Sequence, residues 1–149
     1  MKYSLPHAFV RYHRGLGRMP RRWKPWLMSL LMSNMILPFF FLKDHWEPWI
    51  VLGTALLTGA TFIVLTAYRG FTRLLGFGHV PWIPMIVYLI IQLPEAYEND
   101  QGTWFLFWLQ AVIVLDIGSI ILDAANVIRY FRGERDEMVA GLDSTAICR

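Results

Sequence analysis

The stretch that decides the fold is residues 103–130, which read TWFLFWLQAVIVLDIGSIILDAANVIRY. This apolar run is long enough to cross a bilayer, which takes about 20 residues in a helix. It nevertheless contains Asp116 in its interior and Asp123 near one end. A carboxylate at membrane depth costs free energy unless it is paired or hydrated, so both residues are candidates for a functional site.

The composition indicates a membrane protein. Of the 149 residues, 56% are hydrophobic and 17% are charged, whereas soluble domains contain about 45–50% apolar and about 25% charged residues. The apolar residues also lie in long blocks and not in the short alternating patterns of a soluble core. This length predicts one domain without a separate soluble catalytic domain. The single cysteine, Cys148, excludes an internal disulfide.

Four apolar segments predict an all-α membrane protein, a bundle of four transmembrane helices. The predicted spans are about residues 25–42, 48–68, 79–93 and 103–125, within a membrane domain of residues 25–131. The third span is short, and it follows a stretch rich in glycine and proline, residues 69–84. This stretch is either an interfacial loop or a broken, re-entrant element at the start of the third helix. In the second span, Ala55 and Gly59 have the spacing that lets two helices approach closely.

The distribution of basic residues predicts the orientation. The 14 lysines and arginines divide as seven in residues 1–24, one in the first loop, two in the second, none in the third and four after the last span. The positive-inside rule then places both termini in the cytoplasm. The acidic loop of residues 94–102 is expected outside, and a bacterial inner (plasma) membrane is the simplest location.

Residues 1–24 form a basic cytoplasmic arm without an acidic residue. The arm is either a topology signal or a segment that binds the anionic headgroups of the bilayer. Gly15, Gly17 and Pro20 argue against one continuous amphipathic helix. Residues 132–149 are expected to be a polar, solvated and poorly ordered cytoplasmic tail. The candidate lipid- or anion-binding residues are Arg11, Arg14, Arg18, Arg21, Arg22 and Lys24.

A polar stripe runs along the fourth span. Helical spacing places Asp116, Ser119, Asp123 and Asn126 on one side, over about 15 Å. The candidate partners of the stripe are Asn34, Arg73 and His79. A purely structural role would have Asp123 bound to an arginine, and Asp116 hydrogen-bonded to Asn34 or Ser33.

Two functions remain open beyond that structural role. The first is an accessory subunit that associates with another membrane protein or with itself. The alternative is an oligomeric transporter or channel, coupled to protons or cations through Asp116. An enzyme is less favoured, because the sequence has no GxSxG, HExxH, CxxC or phosphate-loop motif. No cofactor, metal site or nucleic-acid partner is predicted.

Overall fold

The computed structural model describes residues 1–139 and 141–142, and these residues are folded into helices joined by short turns. The prediction of an all-α protein is confirmed. Apart from one isolated bridge between Thr72 and Glu137, the described part contains no β-structure. The five α-helices are α1 (Leu5–Arg18), α2 (Lys24–Leu31), α3 (Glu47–Arg69), α4 (Trp82–Glu98) and α5 (Thr103–Phe131).

Two or three membrane crossings follow from the lengths and hydropathies of these helices. Helices α3 and α5 are each long and apolar enough to cross a bilayer. A third crossing is formed if the 3₁₀ turn Arg73–His79 and α4 act as one span, since they are joined at a bend of 40°. The structure thus shows a bend at the start of the third helix, where the sequence allowed either an interfacial loop or a broken element. Helix α4 itself continues through Pro94 to Glu98.

The first apolar segment is less regular than its hydropathy suggests. Helix α2 widens into a π-helical turn, Met32–Ile36, and then tightens into a 3₁₀ turn, Leu37–Phe40. Pro38 accounts for this irregularity, because its ring conflicts with the carbonyl four residues earlier and it offers no N–H to the helix. After these two turns the chain reverses direction and enters α3. Ser33 and Asn34, which lie in the π-helical turn, are buried.

Helix α5 lies at the centre of the hydrophobic core. Its buried side chains Phe105, Trp108, Leu109 and Val112 pack with residues from α2, α3 and α4. The Trp108 indole N–H also donates a hydrogen bond of 2.9 Å to the Ser33 carbonyl, so the polar edge of the ring is satisfied inside the core.

The N-terminal arm differs from its prediction. Helix α1 is continuous through Gly15 and Gly17 and ends before Pro20. Gly15 does not break the helix, because the absence of a side chain lets the Phe71 ring pack against its backbone; an added Cβ would lie 2.5 Å from that ring. Gly15 therefore permits a close contact between α1 and the turn that follows α3.

The predicted tail also differs in part. The Met138 N–H donates a hydrogen bond of 2.9 Å to the Phe71 carbonyl. Val139 and Leu142 are buried with Phe71 and Leu75 in a second, smaller cluster. The start of the tail is thus packed, because its apolar residues cover the turn after α3. Ala140 and residues 143–149 lie outside the described residues. We call α1, residues 71–75 and residues 137–139 and 141–142 together the cap.

The two glycines of α3 do not make close contacts with the other helices. A Cβ built on Gly53 or Gly59 meets nothing within 4 Å. The buried residues of α3 include Val51, Thr58 and Ala67. Within the described part of the chain, the Ala55–Gly59 spacing is therefore not used for close helix packing.

Candidate functional site

Asp116 is sealed in the middle of the bundle and contacts Asn34. The Asn34 amide Nδ2 donates to Asp116 Oδ1 at 2.9 Å, and the two residues are 2% and 0% exposed. The π-helical turn of the first segment brings Asn34 to this depth. Among the described residues, Asp116 Oδ2 and Asn34 Oδ1 have no hydrogen-bond partner.

The second carboxylate of the stripe, Asp123, is paired with a histidine. His79 Nδ1 lies 2.5 Å from Asp123 Oδ2, and the Ser119 hydroxyl donates to the same oxygen at 3.4 Å. The imidazole packs between the rings of Phe62 and Trp82, at centroid distances of 4.8 Å and 4.1 Å. The expectation that Asp123 would bind an arginine was therefore wrong, because the bend before α4 places His79, and not an arginine, beside this carboxylate.

Arg73 joins the last member of the stripe to the start of the tail. It donates to Asn126 Oδ1 at 3.0 Å and lies 3.1 Å from a Glu134 carboxylate oxygen. Glu134 also accepts hydrogen bonds from Arg129, at 2.9 Å and 3.0 Å. These hydrogen bonds lower the pKa of the Glu134 carboxyl, and the hydrogen bond from Arg129 is the largest cause. Sequence analysis missed Glu134, because it lies in a segment that composition alone describes as a solvated tail.

A close backbone contact positions His79 and Arg73 beside α5. A Cβ built on Gly76 would lie 2.8 Å from the Asp123 carbonyl oxygen and 3.0 Å from Val127 Cγ2. Only glycine permits this approach of the 3₁₀ turn Arg73–His79 to the helix. The turn consequently presents one side chain to Asp123 and another to Asn126.

The basic arm does not form one uniform anion-binding surface. Arg11 is 2% exposed, and its guanidinium contacts both carboxylate oxygens of Glu137, at 2.5 Å and 2.6 Å. It also lies over the Tyr3 ring, 4.5 Å from the centroid. Arg11 is therefore a structural residue of the cap and not a ligand-binding one. The Arg18 guanidinium donates to the Gly141 carbonyl. The exposed basic residues of the arm include Arg14, Arg18, Arg21, Arg22 and Lys24.

The structure thus brings three members of the stripe into contact with another part of this chain, whereas Ser119 donates to Asp123 within α5. Asp116 contacts the first segment, and Asp123 and Asn126 contact the turn Arg73–His79. Within residues 1–139 and 141–142, no three side chains of the metal-binding types converge on one point. The arrangement holds segments together, and His79 Nε2 has no hydrogen-bond partner among the described residues.

Fold and site define a small helical membrane protein with two or three spanning helices, held together internally by a polar stripe. No family model matches the sequence, and comparison with curated proteins and with solved structures finds no significant match.

Proposed function

We propose that this protein acts by association within the membrane, as an accessory subunit of a larger membrane assembly or as a homo-oligomer. The observation that carries the proposal is the uncovered face of α3 that contains Gly53 and Ala60. Both residues are exposed there, beside Leu56 and Leu57, which are 64% and 56% exposed. Small residues let helix backbones approach closely in a bilayer, and this packing is a principal source of helix association there.

The polar stripe is better understood as internal support than as the surface that binds a partner. Its residues already have partners within the chain. The transport alternative requires water or ions to reach Asp116. Asp116 is fully buried and lines neither of the two grooves described between the helices. Transport through Asp116 therefore remains a prediction without a supporting observation.

The proposal includes four crossings with both termini in the cytoplasm of a bacterium, in its inner membrane. The exposed aromatic residues Trp46, Trp49 and Trp104 lie at the starts of α3 and α5, and the cap adjoins the other end of α3. They support one membrane interface at that level, because tryptophan prefers the headgroup region. The surface arginines near the cap support the cytoplasmic interface at the other end.

Leucine substitutions on the α3 face test the association. We expect Gly53→Leu/Ala60→Leu to reduce recovery of the partner, or of the homo-oligomer, about tenfold, because the added side chains hold the helices apart. The measurement is cross-linking in native membranes, followed by mass determination of the purified assembly. Ala125→Leu is the matched control, since Ala125 is an exposed alanine on a different helix. Equal recovery of the partner with the variant and the control would contradict the proposal.

The basic arm of residues 1–24 contributes to the proposed function by binding the lipid bilayer. We propose that α1 lies in the plane of the cytoplasmic leaflet, with Leu5 and Phe9, each 49% exposed, in the acyl region. Arg14, Arg21 and Arg22 then face the anionic headgroups. A fluorophore at position 9 is expected to be quenched by lipids that carry a quencher near the glycerol, and one at position 14 is not. Equal quenching at both positions would refute this placement.

A further inference from the structure

A groove runs along α5 beside the His79–Asp123 pair. It has a volume of about 270 Å³ and lies between α5 and the bend that precedes α4. Its apolar walls come from both elements and include Phe77, Val80, Ile83, Ile120, Val127 and Ile128. His79 and Asp123 are the polar side chains of the lining. The groove thus combines an apolar cleft at membrane level with one localised hydrogen-bonding pair.

The pair fixes the chemistry that His79 offers to a ligand. Asp123 engages Nδ1 at 2.5 Å, and Nε2 has no hydrogen-bond partner among the described residues. With Asp123 ionised, Nε2 accepts a hydrogen bond when the imidazole is neutral and donates one when it is protonated. The same nitrogen can therefore bind either a carbonyl oxygen or a hydroxyl group.

The charges around the groove disfavour a phosphate headgroup. The neighbouring arginines Arg73 and Arg129 do not line it, and both are paired with Glu134. A phospholipid acyl chain would fill the cleft but leave the His79 nitrogen without a partner, which costs free energy at membrane depth. An uncharged lipid whose polar group is a carbonyl or a hydroxyl satisfies both features.

We propose that this groove binds an isoprenoid quinone or its quinol. The flat, uncharged ring has an oxygen for His79 Nε2 in both redox forms, as a carbonyl acceptor or as a hydroxyl donor. The apolar remainder of the ring and the isoprenoid tail contact the aliphatic walls. The inference concerns binding alone and does not depend on the association proposed above, which uses the exposed face of α3 that contains Gly53 and Ala60.

A photoreactive azidoquinone with an isoprenoid tail tests the site. The full-length protein is reconstituted into phosphatidylcholine nanodiscs, irradiated with the probe and mapped by mass spectrometry. We expect labelling within residues 76–83 and 120–128, and we expect excess unlabelled ubiquinone to abolish it. Competition by phosphatidylglycerol as strong as that by ubiquinone would overturn the proposal, because it would identify a general lipid cleft.

Two pairs of variants separate binding from folding. Ala124→Leu fills the groove without touching the His79–Asp123 pair, and Ala125→Leu is its control outside the groove. His79→Leu removes the hydrogen bond, and His13→Leu removes an exposed histidine in α1. We expect about tenfold less labelling in the first member of each pair and none of this loss in the controls. Unchanged labelling in both Ala124→Leu and His79→Leu, with each variant still monodisperse, would overturn the proposal.

Discussion

Gly76→Ala is expected to destabilise the protein by about 1–3 kcal/mol, the range for overpacking at a well-packed contact. The new Cβ would lie 2.8 Å from the Asp123 carbonyl oxygen and 3.0 Å from the Asp123 Cβ. The carbonyl belongs to the backbone of α5, which cannot move aside as a flexible side chain can. The turn Arg73–His79 must therefore retreat from α5, and both the His79–Asp123 and Arg73–Asn126 contacts weaken with it.

Unfolding in detergent, followed by circular dichroism, measures this effect. Gly17→Ala is the matched control, because a Cβ at Gly17 meets nothing within 4 Å. At this helical position the control should be neutral or should raise stability by up to about 1 kcal/mol. Similar stabilities of the two variants would show that the turn does not approach α5 as closely as described.

Arg11→Met is expected to release the cap. Arg11 is 2% exposed and Glu137 is 22% exposed, so the substitution leaves a carboxylate partly buried without its hydrogen bonds. Loss of hydrogen bonds to a charged group costs about 1.5–3 kcal/mol. This energy corresponds to amide hydrogen exchange about ten- to hundredfold faster in α1 and in residues 137–139.

The control for Arg11→Met is a substitution in the exposed ion pair near the end of α5. Arg129 and Glu134 are 52% and 47% exposed, and pairs in water contribute little because solvent screens them. Arg129→Met should therefore leave hydrogen exchange in the cap unchanged. If hydrogen exchange in the cap became as fast in Arg129→Met as in Arg11→Met, the structural role assigned to Arg11 would be contradicted.

The apolar segments of the sequence were sufficient to locate α3, α4 and α5, and helical periodicity predicted the polar face of α5, whereas α1 and the irregular turns of the first segment were not predicted. A seven-residue separation fixes Asp116 and Asp123 on one side of any α-helix. The predicted first and fourth spans also placed Asn34 at the depth of Asp116, which is why this contact could be anticipated. His79 was among the candidate partners of the stripe, but the choice between His79 and an arginine as the partner of Asp123 depends on the bend before α4.

The cap could not be predicted because its contacts are distant in sequence and follow no periodic pattern. Arg11 and Glu137 are separated by 126 residues, and each looks like an ordinary surface charge in its own segment. Gly15 was misjudged for a related reason. A glycine in a helix lowers intrinsic helix propensity, but here the Phe71 ring occupies the space that a side chain would need. Tertiary packing therefore outweighed local preference.

The central claim is that Asp116 is sealed inside the fold and that the polar stripe holds the fold together. Its most direct test is the reactivity of a cysteine at position 116 toward a charged, membrane-impermeant thiol reagent, in a Cys148→Ser background. Val112→Cys, at a fully buried position, and Arg132→Cys, at an exposed one, set the limits of the scale. We predict that Asp116→Cys is as unreactive as Val112→Cys from both sides of the membrane. Modification at a rate close to that of Arg132→Cys would contradict the claim and favour a water-filled path to Asp116.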